Sequence, residues 1–224
     1  MTPEEQTAAL APVGSADAPA GGEQEPGAPP APPELAPEVK ARRDAALRHV
    51  RQFGDPALRS KAREVERFDD ALRREVQRMA RIMSDALGVG LAATQVGVQH
   101  RLLVYRVGPD APAVALVNPR IEWSGAALET MEEGCLSLPG VHVDVERAIH
   151  VRVGGRGPDG DALTVEASGL EARVLQHEID HLDGILVLDR TSREQRKQAV
   201  RAMREAEVGS GPPPVASDGQ AGAA

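Results

Sequence analysis

The sequence predicts a single α+β domain in which short, mostly antiparallel β-strands surround a central helix, with one helix before them and one after. Three observations carry this. Leu72, Val76, Met79, Ile82, Met83 and Ala86 recur at helical spacing between Asp69 and Ala86, the stripe of an amphipathic helix. Short runs alternating apolar with polar residues then fill positions 101–167. Two capping signals, at Ser168 and Ser192, follow and open further helices.

Taken in order, the chain begins with a segment that predicts no element. Nine of the 18 prolines precede Lys40, in an Ala/Pro/Gly/Glu stretch that includes GAPPAPPELAPE, and three more lie in GPPPVASDGQAGAA at the other end. Neither end has the apolar periodicity needed to offset chain entropy, so disorder is expected over 1–39 and 209–224, leaving a folded domain at 40–208.

The helix over Asp69–Ala86 runs into GVGLAATQVGV, where glycines 88, 90 and 97 break the helical pattern. They imply a backbone that turns tightly or lies close against something; a plain helix C-cap and turn is the alternative. Six strand-like runs come next: RLLVYRV, AVALVNP, ALETME, VHVDVE, IHVRV and LTVEA, with a GPDG turn at 157–160 between the last two. Ser168 with Glu171 forms an S-x-x-E signal opening a helix through Asp183, and Gly184 is placed to end it. Ser192 with Gln195 starts a charged helix to about Glu207. There is no internal repeat.

The net charge of −8 comes from the ends. Seven acids and no Lys or Arg precede Lys40, Asp218 is the only charge after Glu207, and 40–207 holds 26 residues of each sign. The acidic balance therefore reports a solvating tail and says little about the substrate. No run approaches the ~20 apolar residues of a membrane span, and the N-terminus lacks the basic and apolar regions of a secretory signal. A cytoplasmic protein without a membrane partner is expected. The single cysteine, Cys135, rules out an internal disulfide and suits a reducing compartment.

Chemistry concentrates in LQHEIDHLDG. On a helix His177 and His181 project from one face a turn apart, so both imidazoles reach one ion, while Glu178 points about 100° round the axis. Two helical histidines are otherwise solvated or core residues, and a catalytic site needs a third ligand and an open position. The zinc endopeptidases with this motif usually take that ligand downstream, but no histidine follows His181 and the later acids sit at or in the charged C-terminal helix. Upstream, EEGCLSLPG places Cys135 in a glycine-containing bend; a cysteine is ordinarily a small core hydrophobe, yet here it completes a Cys/His/His set with the fourth position free for water.

These residues and GVGLAATQ carry a resemblance. Gly88–Gln95 resembles G-x-G-L-A-A-x-Q, Glu133–Ser137 resembles E-G-C-L-S, and His177–His181 resembles H-E-x-D-H, the three motifs of peptide deformylases in their order, over about Arg51 to Arg204. The resemblance implies a metal-dependent hydrolase that removes the N-formyl group from the formyl-methionine of nascent polypeptides and releases formate. It implies Cys135, His177 and His181 as metal ligands and Glu178 as general base and then acid. The Gln95 side chain and the Leu136 backbone N–H are implied as oxyanion donors. Leu170 and Val174, on the helical face of His177, would form the methionine pocket with Val89, Met131 and Glu133 nearby, and Gly88 and Gly90, lacking a Cβ, would let substrate lie against main chain. Asp180 would pair with a basic residue or orient a ligand.

The resemblance further implies Fe²⁺ in cells, although zinc, nickel or cobalt also suits the donor set. It implies a monomer that docks on the ribosome through Arg193, Arg196, Lys197, Arg201 and Arg204; a merely solvated helix face is the alternative. Many members carry an arginine shortly after the cysteine motif, where this chain reads Gly140-Val141-His142, which leaves contacts to the peptide backbone open. A zinc endopeptidase and a non-catalytic metal-binding protein are the competing functions.

Overall fold

The computed structural model describes residues 35–108 and 111–209, with side chains through Glu205. Helix α1 spans Pro37–Leu47 and α2 Asp70–Asp85; strands β1 (Gly90–Ala92), β2 (Leu102–Tyr105), β3 (Val114–Ser124), β4 (Leu128–Cys135), β5 (Leu138–Ala148), β6 (His150–Arg156) and β7 (Ala162–Ser168) follow, then α3 (Gly169–Leu182) and α4 (Arg193–Gly209). The strands form an antiparallel five-stranded sheet in the order β1-β2-β3-β6-β7 and a separate β4-β5 hairpin.

Strand β2 shows how the layers arise. All four of its residues are buried, and the two-residue period sends Leu102 and Val104 to one face, Leu103 and Tyr105 to the other. On the first face the α2 stripe, Leu72, Met79, Ile82 and Met83, packs with Leu91 and Val117. On the second, Leu175, Ile179 and Leu182 of α3 pack with Leu116, Val151 and Val153. Val141, Val143 and Val145 of β5 make a third cluster with Leu188, covered by Ala199, Val200 and Met203 of α4. Helix α3 thus lies between the sheet and the hairpin, which explains why it is buried on nearly every side.

The expected α+β architecture and all six strand runs are present, with differences at particular places. The folded region starts earlier than 40 and ends later than 208: α1 begins at Pro37, where proline fits the first helical turn, and α4 reaches Gly209. Of the disorder expected over 1–39 and 209–224, residues 1–34 and 210–224 lie outside the described residues. The third strand does not stop near Pro119. It continues to Ser124 across a bulge in which Asn118 adopts φ +53°, its side chain accepting from Val65 N (2.8 Å) and donating to Val65 O (2.9 Å).

The Ser168 capping box does not form. Ser168 makes no side-chain cap bond, and Glu171 instead accepts from the Tyr105 hydroxyl at 3.0 Å. At the other capping signal Gln195 N donates to Ser192 Oγ (3.2 Å), but the Gln195 side chain turns to Asp144, donating to its carboxylate and accepting from its N–H, and so ties α4 to β5. Gly184 ends α3 in the left-handed region at φ +74°. No described helix is long and apolar enough to cross a membrane.

Candidate metal centre

Cys135 ends β4, and His177 and His181 project from the facing side of α3. Their ligand atoms, the thiol sulfur and one nitrogen of each ring, all lie within 4.8 Å of one another. Cys135 Sγ is 3.2 Å from His181 Nε2, and the two rings meet edge to face with centroids 4.9 Å apart. Among the described residues this is the one group of three side chains close enough to hold an ion.

Two of the three candidate ligands are oriented by a neighbour, while His181 Nδ1 is buried without a partner. Glu133 Oε2 lies 2.9 Å from His177 Nδ1, which leaves Nε2 to face the thiol. Glu133 is itself buried and held by Arg147, at 2.7 and 3.0 Å, and by Arg173 at 2.8 Å. Burial pushes its carboxyl up, but His177 and Arg147 outweigh this and hold it at about 2. Arg147 also donates to Asp180 Oδ2 (2.7 Å), which accepts from Arg190 Nε as well (3.0 Å), while Arg190 Nη2 donates to Oδ1. Asp180 therefore pairs with two basic residues. Ser137 N donates to Cys135 Sγ at 3.4 Å.

Glu178 stands beside the cluster, almost fully buried, and its Oε2 has no hydrogen-bond partner. Burial lifts its carboxyl to about 7 against the lowering pull of His177 and Arg147. It fits only because Gly90 has no side chain: a Cβ there would lie 2.3 Å from Glu178 Oε1. The glycine was expected to leave room for substrate; its first tenant is this carboxylate. Gln95 accepts from Ala92 N at 2.8 Å, which aims its Nε2 at Ser137 Oγ (3.2 Å) and Cys135 Sγ (3.7 Å).

These groups open into a cleft of about 370 Å³ lined by Val89, Gly90, Gln95, Glu133, Cys135 and Leu136 together with Leu170, Val174, His177 and Glu178. Val89 and Leu170 are half exposed at its mouth, whereas Val174 is buried. Met131 is exposed and lies outside that lining. His142, in place of the expected arginine, sits 3.2 Å from the Glu132 carboxylate on the exposed rim.

The donor set suits a divalent ion. A thiol and two imidazoles give soft and borderline ligands in a number that leaves a coordination position free. Burial pushes His177 down, but Cys135 and Glu133 outweigh it and raise the ring to about 10, while burial keeps His181 well below its ordinary value.

A family model for polypeptide deformylase matches residues 47–197. The chain belongs to the polypeptide deformylase family. It is 46% identical over 170 residues to the peptide deformylase of Parafrankia sp. (strain EAN1pec), covering 76% of this chain and 92% of that one. It is 47% identical over 162 residues to that of Acidothermus cellulolyticus, covering 72% and 88%. The solved peptide deformylase of Legionella pneumophila matches with a TM-score of 0.68 at 38% identity, over 73% of this chain and 98% of that one. That of Synechococcus elongatus in complex with actinonin matches at 0.66 and 41%, over 68% and 85%. The family is metal-dependent and hydrolyses N-formyl-methionine peptides, so the endopeptidase alternative is not favoured. In keeping with this, the third donor comes from β4, upstream of the helix.

Sequence reasoning missed Arg147, Arg173 and Ser137. The first two had a signal. Val141, Val143 and Val145 face inward at a period of two, which puts Arg147 on the same buried face, and Arg173 lies one helical turn before His177. A charge at an inward position implies a buried partner.

Proposed function

We propose that Cys135, His177 and His181 hold one ion and that Glu178 moves the proton when this enzyme removes the formyl group from formyl-methionyl nascent peptides. The convergence of one thiol and two imidazoles beside an unpartnered, buried carboxylate oxygen carries the reading. When bound, the ion supplies Lewis acidity, enough to bring the pKa of a water from 15.7 to ~7. Glu178 accepts the proton of the attacking water and delivers it to the leaving amine, a role worth ~10²–10⁴ in rate. A carboxyl lifted to about 7 both takes and gives a proton near neutral pH.

The Gln95 Nε2 and the Leu136 backbone N–H stabilise the oxyanion, each donor worth roughly 3–4 kcal/mol. Val89, Glu133, Leu170 and Val174 receive the methionine side chain, and Gly90 lines the cleft beside the substrate main chain; Leu170 and Val174 lie a helical turn apart along one face, with Val174 buried behind. Glu178→Gln tests the core of this. The variant is expected to bind metal as before and to lose formate release; undiminished release would overturn the assignment.

Ferrous iron is the proposed cellular ion, with zinc, nickel or cobalt able to occupy the same donors. Anaerobic purification with metal analysis and a formate assay on one sample decides it: activity lost in air and kept with nickel or cobalt supports iron. We further propose a cytoplasmic monomer that meets its substrate at the ribosome. Arg193, Arg196, Lys197, Arg201 and Arg204 are all exposed on α4, while Ala199, Val200 and Met203 of that helix pack on the β5 cluster. Such a stripe gives weak, salt-dependent binding. Charge reversal at Arg196, Lys197 and Arg201 is expected to abolish it, and unchanged ribosome affinity would refute it.

A further inference from the structure

Helix α1 lies, all but its last residue, ahead of the segment that matches the family model. Even so, Arg43 and Leu47 line the same cleft as Cys135 and Glu178. The helix is seated firmly there. Ala46 is buried, Leu47 packs against the cluster that also receives Leu136, and Arg42 reaches Asp85 at the end of α2 (3.6 Å). The chain that follows is stitched to the cysteine loop, Gln52 Nε2 donating to Leu136 O (3.4 Å) and Phe53 N to Ser137 O (2.9 Å).

Apart from Glu178, the other charges lining the cleft are committed to partners. Arg173 and His177 hold Glu133, and His142 lies beside Glu132. Arg43 differs: among the described residues its one carboxylate partner is its neighbour Asp44, at 4.0 Å, the outer limit of an ion pair, and its side chain is 38% exposed. A guanidinium in this position presents a fork of donors to whatever extends along the cleft from the reacting end.

Building on the deformylase reading, we propose that Arg43 is a specificity-determining residue, favouring formyl-peptides with an acidic side chain among the second to fourth residues. An extended peptide runs about 3.3 Å per residue, so its second to fourth residues extend about 10 Å beyond the methionine. The preference is modest, because a half-exposed ion pair changes affinity by about two- to five-fold, and it is screened by salt.

The test uses the metal-loaded, full-length enzyme and C-terminally amidated formyl-Met-Ala-Ala-Ala, with Glu or Lys placed in turn at the second, third and fourth positions. Formate release gives kcat and KM for each. At one position Glu is expected over Lys by about two- to five-fold in kcat/KM, carried by KM and reduced in 0.5 M salt. Arg43→Lys keeps the preference, Arg43→Ala abolishes it and Arg43→Glu inverts it. A Glu/Lys ratio that is the same in the wild type and all three variants overturns the proposal. So does a loss shared equally by every peptide and accompanied by a lower Tm, since that marks Arg43 as a brace for α1. If the wild type releases formate from none of the peptides, the deformylase reading fails, and the proposal with it.

Discussion

Replacing Gly90 by alanine perturbs the centre at one atom. Gly90 is not among the glycines with positive φ, so alanine adopts its backbone without strain and the whole effect comes from the added methyl. That methyl would lie 2.3 Å from Glu178 Oε1 and 2.8 Å from its Cδ and Cγ, whereas real Cβ atoms essentially never come closer than 3.0 Å. The carboxylate must retreat by about 0.7 Å or more, or β1 must give way. A misplacement of this order costs about 10²-fold in rate, and overpacking a buried position costs roughly 1–3 kcal/mol in stability. The ligand atoms of Cys135, His177 and His181 are not among the three nearest contacts, so metal content should hold. Formate release from a formyl-Met peptide and metal per chain, measured on one preparation, check this. Glu178→Gln together with Gly90→Ala should be little worse than Glu178→Gln alone, because both act through one group. Full activity in Gly90→Ala, or additive losses in the double variant, would refute the link between this glycine and Glu178.

Three other outcomes are expected. Glu133→Gln removes the charge that His177, Arg147 and Arg173 share, so metal affinity should fall about 10–100-fold and stability by about 3–5 kcal/mol, read by metal titration and urea unfolding. Tyr105 is the only tyrosine; burial and the hydrogen bond it donates to Glu171 raise its pKa above the ordinary 10, so its stabilisation is complete below that pH and is lost as pH rises beyond it. Phenolate absorbance should accordingly appear only with unfolding, and titration near 10 in the folded protein would contradict the burial. Gly184→Ala forces a side chain into φ +74° with its Cβ 2.6 Å from Arg59 O, and should cost about 1–3 kcal/mol in urea unfolding.

The elements most legible in the sequence are those whose own periodicity decides their burial. The α2 stripe and the alternation of β5 are of this kind, and both appear where their patterns place them. Strand β1 was not legible. Gly90–Ala92 is three residues long, and it is a strand only because Tyr105, Val104 and Leu103 pair with it, a relation across the sheet. Helix α1 was hidden for the opposite reason: PEVKARRDAAL has no apolar stripe, and Ala46 is its one buried residue. At Ser168 a local capping rule lost to a tertiary bond, because the Tyr105 hydroxyl needs a buried acceptor and takes Glu171. In the centre the ligand types were readable from spacing. The arginines around Glu133 were not singled out, because their partners come from different elements.

Among the described residues the β4-β5 hairpin belongs to no larger sheet. Its attachment to α3 runs in part through side chains: Arg147 on Asp180, Arg173 on Glu133, and the thiol facing the rings. A cation gripped from both sides would be one more clasp between these two bodies, tightening with the logarithm of one plus the ratio of its concentration to its dissociation constant. Occupancy and hairpin detachment are then thermodynamically linked, so chelation loosens the hairpin and backbone amides there lose protection against solvent deuterium before those of β6 and β7 do.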